Sequence, residues 1–173
     1  EGNIRATEEQ SLSGASLIGY SEGAEMCLLR IEGLPTDASG KRAIPTAYQP
    51  YFAGWNRRTS PIGPFVGIHH PGGSTKRYNR SEDTSTKTGD YTLNYINAAG
   101  QTATITWRNK HWEIQTWETG ITAAGSSGSP LFDKDGLIIG ALTGGASSCA
   151  APYDDHYWSL KGAWSLERTG LGS

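Results

Sequence analysis

Apolar positions along the chain come in short bursts, and several of these alternate with polar ones. In 91–96, Tyr91, Leu93 and Tyr95 fall on one side of an extended segment and Thr92, Asn94 and Ile96 on the other, the period-two pattern of a strand. Similar strand-forming runs occupy 15–20, 26–31, 48–53, 65–69, 102–107, 111–116, 137–142 and 157–164. Between them stand Gly33-Leu34-Pro35-Thr36-Asp37, Pro71-Gly72-Gly73 and Asp133-Lys134-Asp135-Gly136, clusters that favour turns. No stretch carries a capped 3.6-residue period of useful length. The pattern predicts an all-β chain, either a sandwich or a pair of barrels. The polar stretch 80–90 offers a division into two β halves, 1–80 and 81–173.

A length of 173 residues is enough for one sizeable core or two small barrels in contact. The 23 glycines, 6 tryptophans and 8 tyrosines agree with a turn-rich β protein, and the aromatic content alone also fits a carbohydrate-binding module. A formal net charge of -2 provides no basic field for nucleic acid. No apolar run approaches the ~18 residues of a membrane span. The first residue is Glu1, not Met, and no signal peptide is visible. The expectation is a mature or excised segment of a secreted or cell-envelope protein, with no cofactor or metal. Cys27 and Cys149 are compatible with one disulfide or with two free thiols.

The strongest chemical signal is Gly125-Ser126-Ser127-Gly128-Ser129-Pro130. A serine on such a tight turn exposes its hydroxyl, and the neighbouring amides can converge on the oxyanion of an acyl-transfer reaction. On this reading Ser127 is the nucleophile, with the N–H groups of Gly125 and Ser127 as oxyanion donors. Taken alone, the hexapeptide is equally a Ser/Gly surface loop joining two strands.

Further landmarks, in order, are Glu25-Met26-Cys27-Leu28-Leu29, Gly54-Trp55-Asn56-Arg57-Arg58, Ile68-His69-His70-Pro71, Lys76-Arg77 and Gly144-Gly145-Ala146-Ser147-Ser148-Cys149. With the serine turn, this series resembles the lysyl endopeptidase branch of the trypsin-fold serine proteases, over most of the chain. The resemblance implies two Greek-key β-barrels, the first incomplete here, with a histidine–acid–serine triad in the crevice between them. It assigns the acid to Glu25, where the family carries aspartate, and the nucleophile to Ser127. No histidine precedes Glu25: His69, His70, His111 and His156 all follow it. The expectation is therefore a protease segment cut short at both ends, lacking its general base and a closing C-terminal helix. An N-terminal segment or chain would complete the first barrel.

The resemblance also implies a substrate site for a polypeptide with a basic side chain. Asp155 matches the pocket acid, and Thr143, Gly144 and Gly145 form the strand beside it, with Thr143 where lysine-specific relatives carry histidine. The residue six before Ser127 is Ile121, so trypsin's own pocket acid is absent. Ser126 stands where trypsin carries the aspartate that captures a newly cleaved N-terminus. Two function classes follow: an endopeptidase acting after Lys or Arg, or an inactive relative used as a binding module.

Overall fold

The computed structural model describes residues 11–21 and 26–170, with side chains as far as Ser165. The chain forms two compact units, Glu1–Ala53 and Gly54–Ser173. In the first, β1 (Ala15–Ser21) and β2 (Met26–Ile31) make an antiparallel hairpin. Its apolar side chains Leu17, Ile18, Leu28, Leu29 and Ile31 are exposed. Glu25 lies outside the described residues.

The second unit holds one antiparallel sheet of seven strands. These are β3 (Phe65–His69), β4 (Arg77–Ser81), β5 (Lys87–Ile96), β6 (Thr102–Ile114), β7 (Pro130–Phe132), β8 (Ile138–Gly145) and β9 (Asp155–Ser159), in the spatial order β4-β3-β7-β8-β9-β6-β5. The sheet carries its own core: Phe65, Trp112, Ile114, Trp117, Leu131, Ile139, Leu142 and Tyr157 are buried against one another. Burying a large apolar side chain contributes about 1.5–3 kcal/mol, so this cluster is what the β runs are for. The all-β, trypsin-like class implied by the sequence is the observed one, with the barrel of the hairpin unit incomplete.

Several element assignments change. The run 48–53 is not a strand: a 3-10 turn at Thr46–Tyr48 is followed by irregular chain. The run 102–107 and the first part of 111–116, as far as Ile114, belong to the single strand β6, continuous through Asn109, whose φ is 53°. The segment 80–90 contains the end of β4 and the start of β5, both within the second unit. The run 157–164 splits into β9 and a helix, α1 (Leu160–Gly170), so a C-terminal helix is present. Its start is set by Ser159, whose hydroxyl accepts the Gly162 N–H at 3.0 Å, a side-chain N-cap.

Candidate active site

The turn 125–130 is fastened on both sides. Downstream, the Gly128 N–H donates to the Leu142 carbonyl at 2.7 Å and the Leu142 N–H to the Ser129 carbonyl at 2.9 Å, tying the turn to β8. Within the turn, Ser126 N–H donates to Ala123 O at 2.9 Å and Ser129 N–H to Ser126 O at 3.1 Å. Gly125 has φ 90° and Gly128 φ 79°, a region in which a side chain would be strained. The two central serines consequently face opposite ways: Ser126 is 1% exposed, while Ser127 is on the surface. The amides of Gly125 and Ser127 have no hydrogen-bond acceptor among the described residues.

Each histidine is engaged away from Ser127. His69 Nδ1 lies 2.8 Å from Ser126 Oγ, and His70 Nδ1 lies 3.1 Å from the Ser74 carbonyl. His111 Nε2 lies 2.9 Å from Thr143 Oγ1, and His156 Nε2 2.9 Å from Asp154 Oδ1. Burial pushes the His69 pKa below the usual imidazole range, with the Asp155 charge opposing and the His70 charge adding to the drop. Burial and the neighbouring His156 push His111 down to about 4.

Strand β9 carries Asp155 into the interior, fully buried. Trp117 Nε1–H donates to Asp155 Oδ2 at 2.7 Å, which fixes the carboxyl, while Oδ1 has no hydrogen-bond partner. Asp155 pairs with Gly145 across the β8–β9 ladder, and Oδ1 lies where a Gly145 side chain would begin. Only glycine at 145 leaves the carboxyl in that position. Beside Trp117 opens a pocket of about 280 Å³ lined by Trp117, Glu118, Gly120, Ile121, Cys149 and Pro152.

The structure thus brings Asp155 and Gly145 together and adds Trp117 to them. Gly144 and Thr143 lie on the other side of the sheet: a Gly144 side chain would meet the Tyr91 hydroxyl at 2.6 Å, and Thr143 bonds His111. Trp117 and His69 are the residues that reading along the sequence passed over in these roles. Their partners lie 38 and 57 positions away, so no local spacing reveals them. Both cysteines are free and exposed.

An antiparallel β unit with an exposed serine on a clamped Gly-x-Ser-Gly turn defines the class of the trypsin-fold serine proteases. Residues 1–158 match the lysyl endopeptidase C-terminal domain family, and the chain belongs to it. Among solved structures, the fold is similar to the active form of the Rv3671c protease from M. tuberculosis, with a TM-score of 0.54 at 15% identity over 89% of this chain. It is also similar to the inactive form of Rv3671c, with a TM-score of 0.54 at 16% identity over 92% of this chain. The Ser343Ala mutant of the same protein from M. tuberculosis H37Rv gives 0.52 at 16% identity, also over 92%. The chain spans 57% to 67% of the length of those three structures.

Proposed function

We propose that this chain supplies the nucleophile and the substrate pocket of a serine endopeptidase that cleaves after basic residues. The observation that carries this reading is the clamped turn: Ser127 is outward, Ser126 inward, and the amides of Gly125 and Ser127 are unengaged. Ser127 Oγ attacks the scissile carbonyl carbon and passes its proton to an imidazole. The negative charge that develops on the carbonyl oxygen is met by the two amides. As the C–N bond breaks, the imidazolium protonates the departing amine, and water then releases the acyl group by the reverse proton path.

None of the four histidines here serves as that base, since none places a ring nitrogen on Ser127. The base comes on an N-terminal segment or chain that adds strands to the β1–β2 hairpin, whose exposed apolar side chains favour such pairing. Glu25 orients the incoming imidazole. Asp155 is the anchor for a Lys or Arg side chain, because its Oδ1 is buried, unpartnered and held in place by Trp117.

The test is labelling with a fluorophosphonate probe. The polypeptide joined to its histidine-bearing segment is expected to label and to cleave Lys- and Arg-containing peptides, and Ser127→Ala to abolish both. The 173-residue chain alone is expected not to label. A joined polypeptide that binds peptides yet never labels would overturn the enzymatic reading in favour of a binding module.

A further inference from the structure

The reaction outlined above makes no use of His69, although it is the histidine bonded to the nucleophile turn. His69 closes β3, is 3% exposed, and stands opposite Arg77 in the β3–β4 ladder. Its Nδ1–Ser126 Oγ contact of 2.8 Å is one of three between the end of β3 and the turn. Gly72 N–H donates to Ala124 O at 2.7 Å. The Gly72 and Gly73 nitrogens pack behind Gly125, at 3.2 and 3.5 Å from the place where a Gly125 side chain would begin. Ser126 Oγ also accepts the Ala123 N–H at 3.3 Å.

The location of this bond matters more than its strength. A buried side-chain hydrogen bond contributes about 1 kcal/mol to stability, which the surrounding sheet could do without. Ser126, however, sits between the two residues whose amides the mechanism needs. Gly125, with φ 90°, has the backbone freedom to rotate its peptide planes and turn an N–H away. A fixed Ser126 side chain takes that freedom away. Trypsin uses an aspartate at this position and recruits a charged N-terminus to hold it. Here the partner is a side chain already built into β3, and both members are neutral, in keeping with the depressed His69 pKa.

We propose that His69 is a positioning residue for the nucleophile turn. Its bond to Ser126 holds the Gly125 and Ser127 amides toward the oxyanion, so the turn is set by folding and needs no activating cleavage. This rests on the proteolytic reading given above. The experiment uses the polypeptide with its histidine-bearing segment, a fluorophosphonate probe and a peptidyl-lysine anilide substrate. Ser126→Ala and His69→Phe are each expected to lower kcat by roughly 10- to 100-fold, with KM within about twofold because ground-state binding is untouched. The double variant is expected to be no worse than the poorer single one, since both remove the same contact. His69→Asn, which puts an amide where Nδ1 was, is expected to recover most of the loss. His69→Gln, which reaches instead toward Nε2, is not. Should His69→Phe fail to fold, the Asn–Gln contrast decides the matter.

Full kcat in Ser126→Ala, losses that multiply in the double variant, or equal recovery by Asn and Gln would each overturn the positioning role while leaving Ser127 as the labelled nucleophile. A wild-type protein that never labels overturns the proteolytic reading, and the positioning role with it.

Discussion

Strand β9 has two faces that do different work. Asp155 and Tyr157 point into the packed interior with Phe65, Ile114 and Trp117. His156 and Trp158 point the other way, into a cluster of rings with Tyr91, Trp107 and His111. On the Asp155 side, a carboxyl is gripped at one oxygen by Trp117 and left open at the other. On the His156 side, rings meet rings: Tyr91 stacks on Trp107 with centroids 6.4 Å apart, and His111 packs edge-on to Trp158 at 4.7 Å. Such contacts are worth about 0.5–1.5 kcal/mol each beyond burial. Adjacent residues of one strand therefore divide the labour, one face holding a fixed buried carboxyl and the other a cluster of packed rings.

The sharpest test of that division is Asp155→Asn. The amide keeps an acceptor for Trp117, so the fold is expected to survive with its Tm within a few degrees. Steady-state cleavage of a lysyl substrate is expected to fall by about 10³-fold in kcat/KM, because a cation would be buried without its counter-charge. An unchanged preference for basic side chains would remove Asp155 from the pocket.

A contrast between neighbouring glycines comes next. Gly145→Ala places its Cβ against Asp155 Oδ1 and the Asp154 carbonyl, with the Asp155 Cα at 2.6 Å, all of it strand backbone or the fixed carboxyl. A loss of about 3 kcal/mol in urea unfolding is expected. Gly144→Ala meets only the tip of the Tyr91 side chain, whose hydroxyl is 2.6 Å away, and no backbone, and is expected to lose about 1 kcal/mol. Equal losses would mean that the two faces are equally rigid.

The smallest effect under ordinary conditions is the response to acid. The unfolded chain binds a proton at His111 near the ordinary value of 6.5, while the folded one does so only near 4. Stability is then unaffected above pH 6.5 and declines as pH falls toward 4, because the unfolded state takes up the proton first. The full decline is roughly 3 kcal/mol. Urea unfolding across this range is expected to show it, and His111→Phe to shrink it, with the depressed His69 supplying part of what remains. An acid limb unchanged by that substitution would assign the loss to other groups.

Much of this was legible in the chain itself. Alternation located the cores of β5 and β6, and the serine turn with its ordered landmarks pointed to the family. What escaped has physical reasons. The strands β4 and β7 fall outside the strand-forming runs because Arg77-Tyr78-Asn79-Arg80-Ser81 and the three-residue Pro130–Phe132 owe their extension to the strands they pair with, not to their own composition. Helix α1 was hidden by Tyr157-Trp158, a strong strand signal running straight into it, and by Gly162 in its first turn. Ser159 was the available clue, with Leu160, Ala163 and Trp164 spaced behind it as one helical stripe. The turn pattern singled out Ser127 over Ser126, but the inward partner of Ser126, His69, lies 57 positions away and left no local mark.

Strand β6 keeps count in an unusual way. Against β5, Gly89 pairs with His111 and Tyr91 with Trp107, so two steps on one strand span four on the other. The surplus pair is accommodated where Asn109 turns left-handed, its N–H held by Asp90 Oδ1 at 2.8 Å. An even surplus preserves parity, and Trp107 and His111 remain on the same face across the bend. Removing both extra residues would shorten the strand yet keep every side chain on its side, whereas removing one would send Trp107 outward and Thr106 inward. At this bend the protein can gain or lose length in twos, and an odd change would turn the ring cluster inside out.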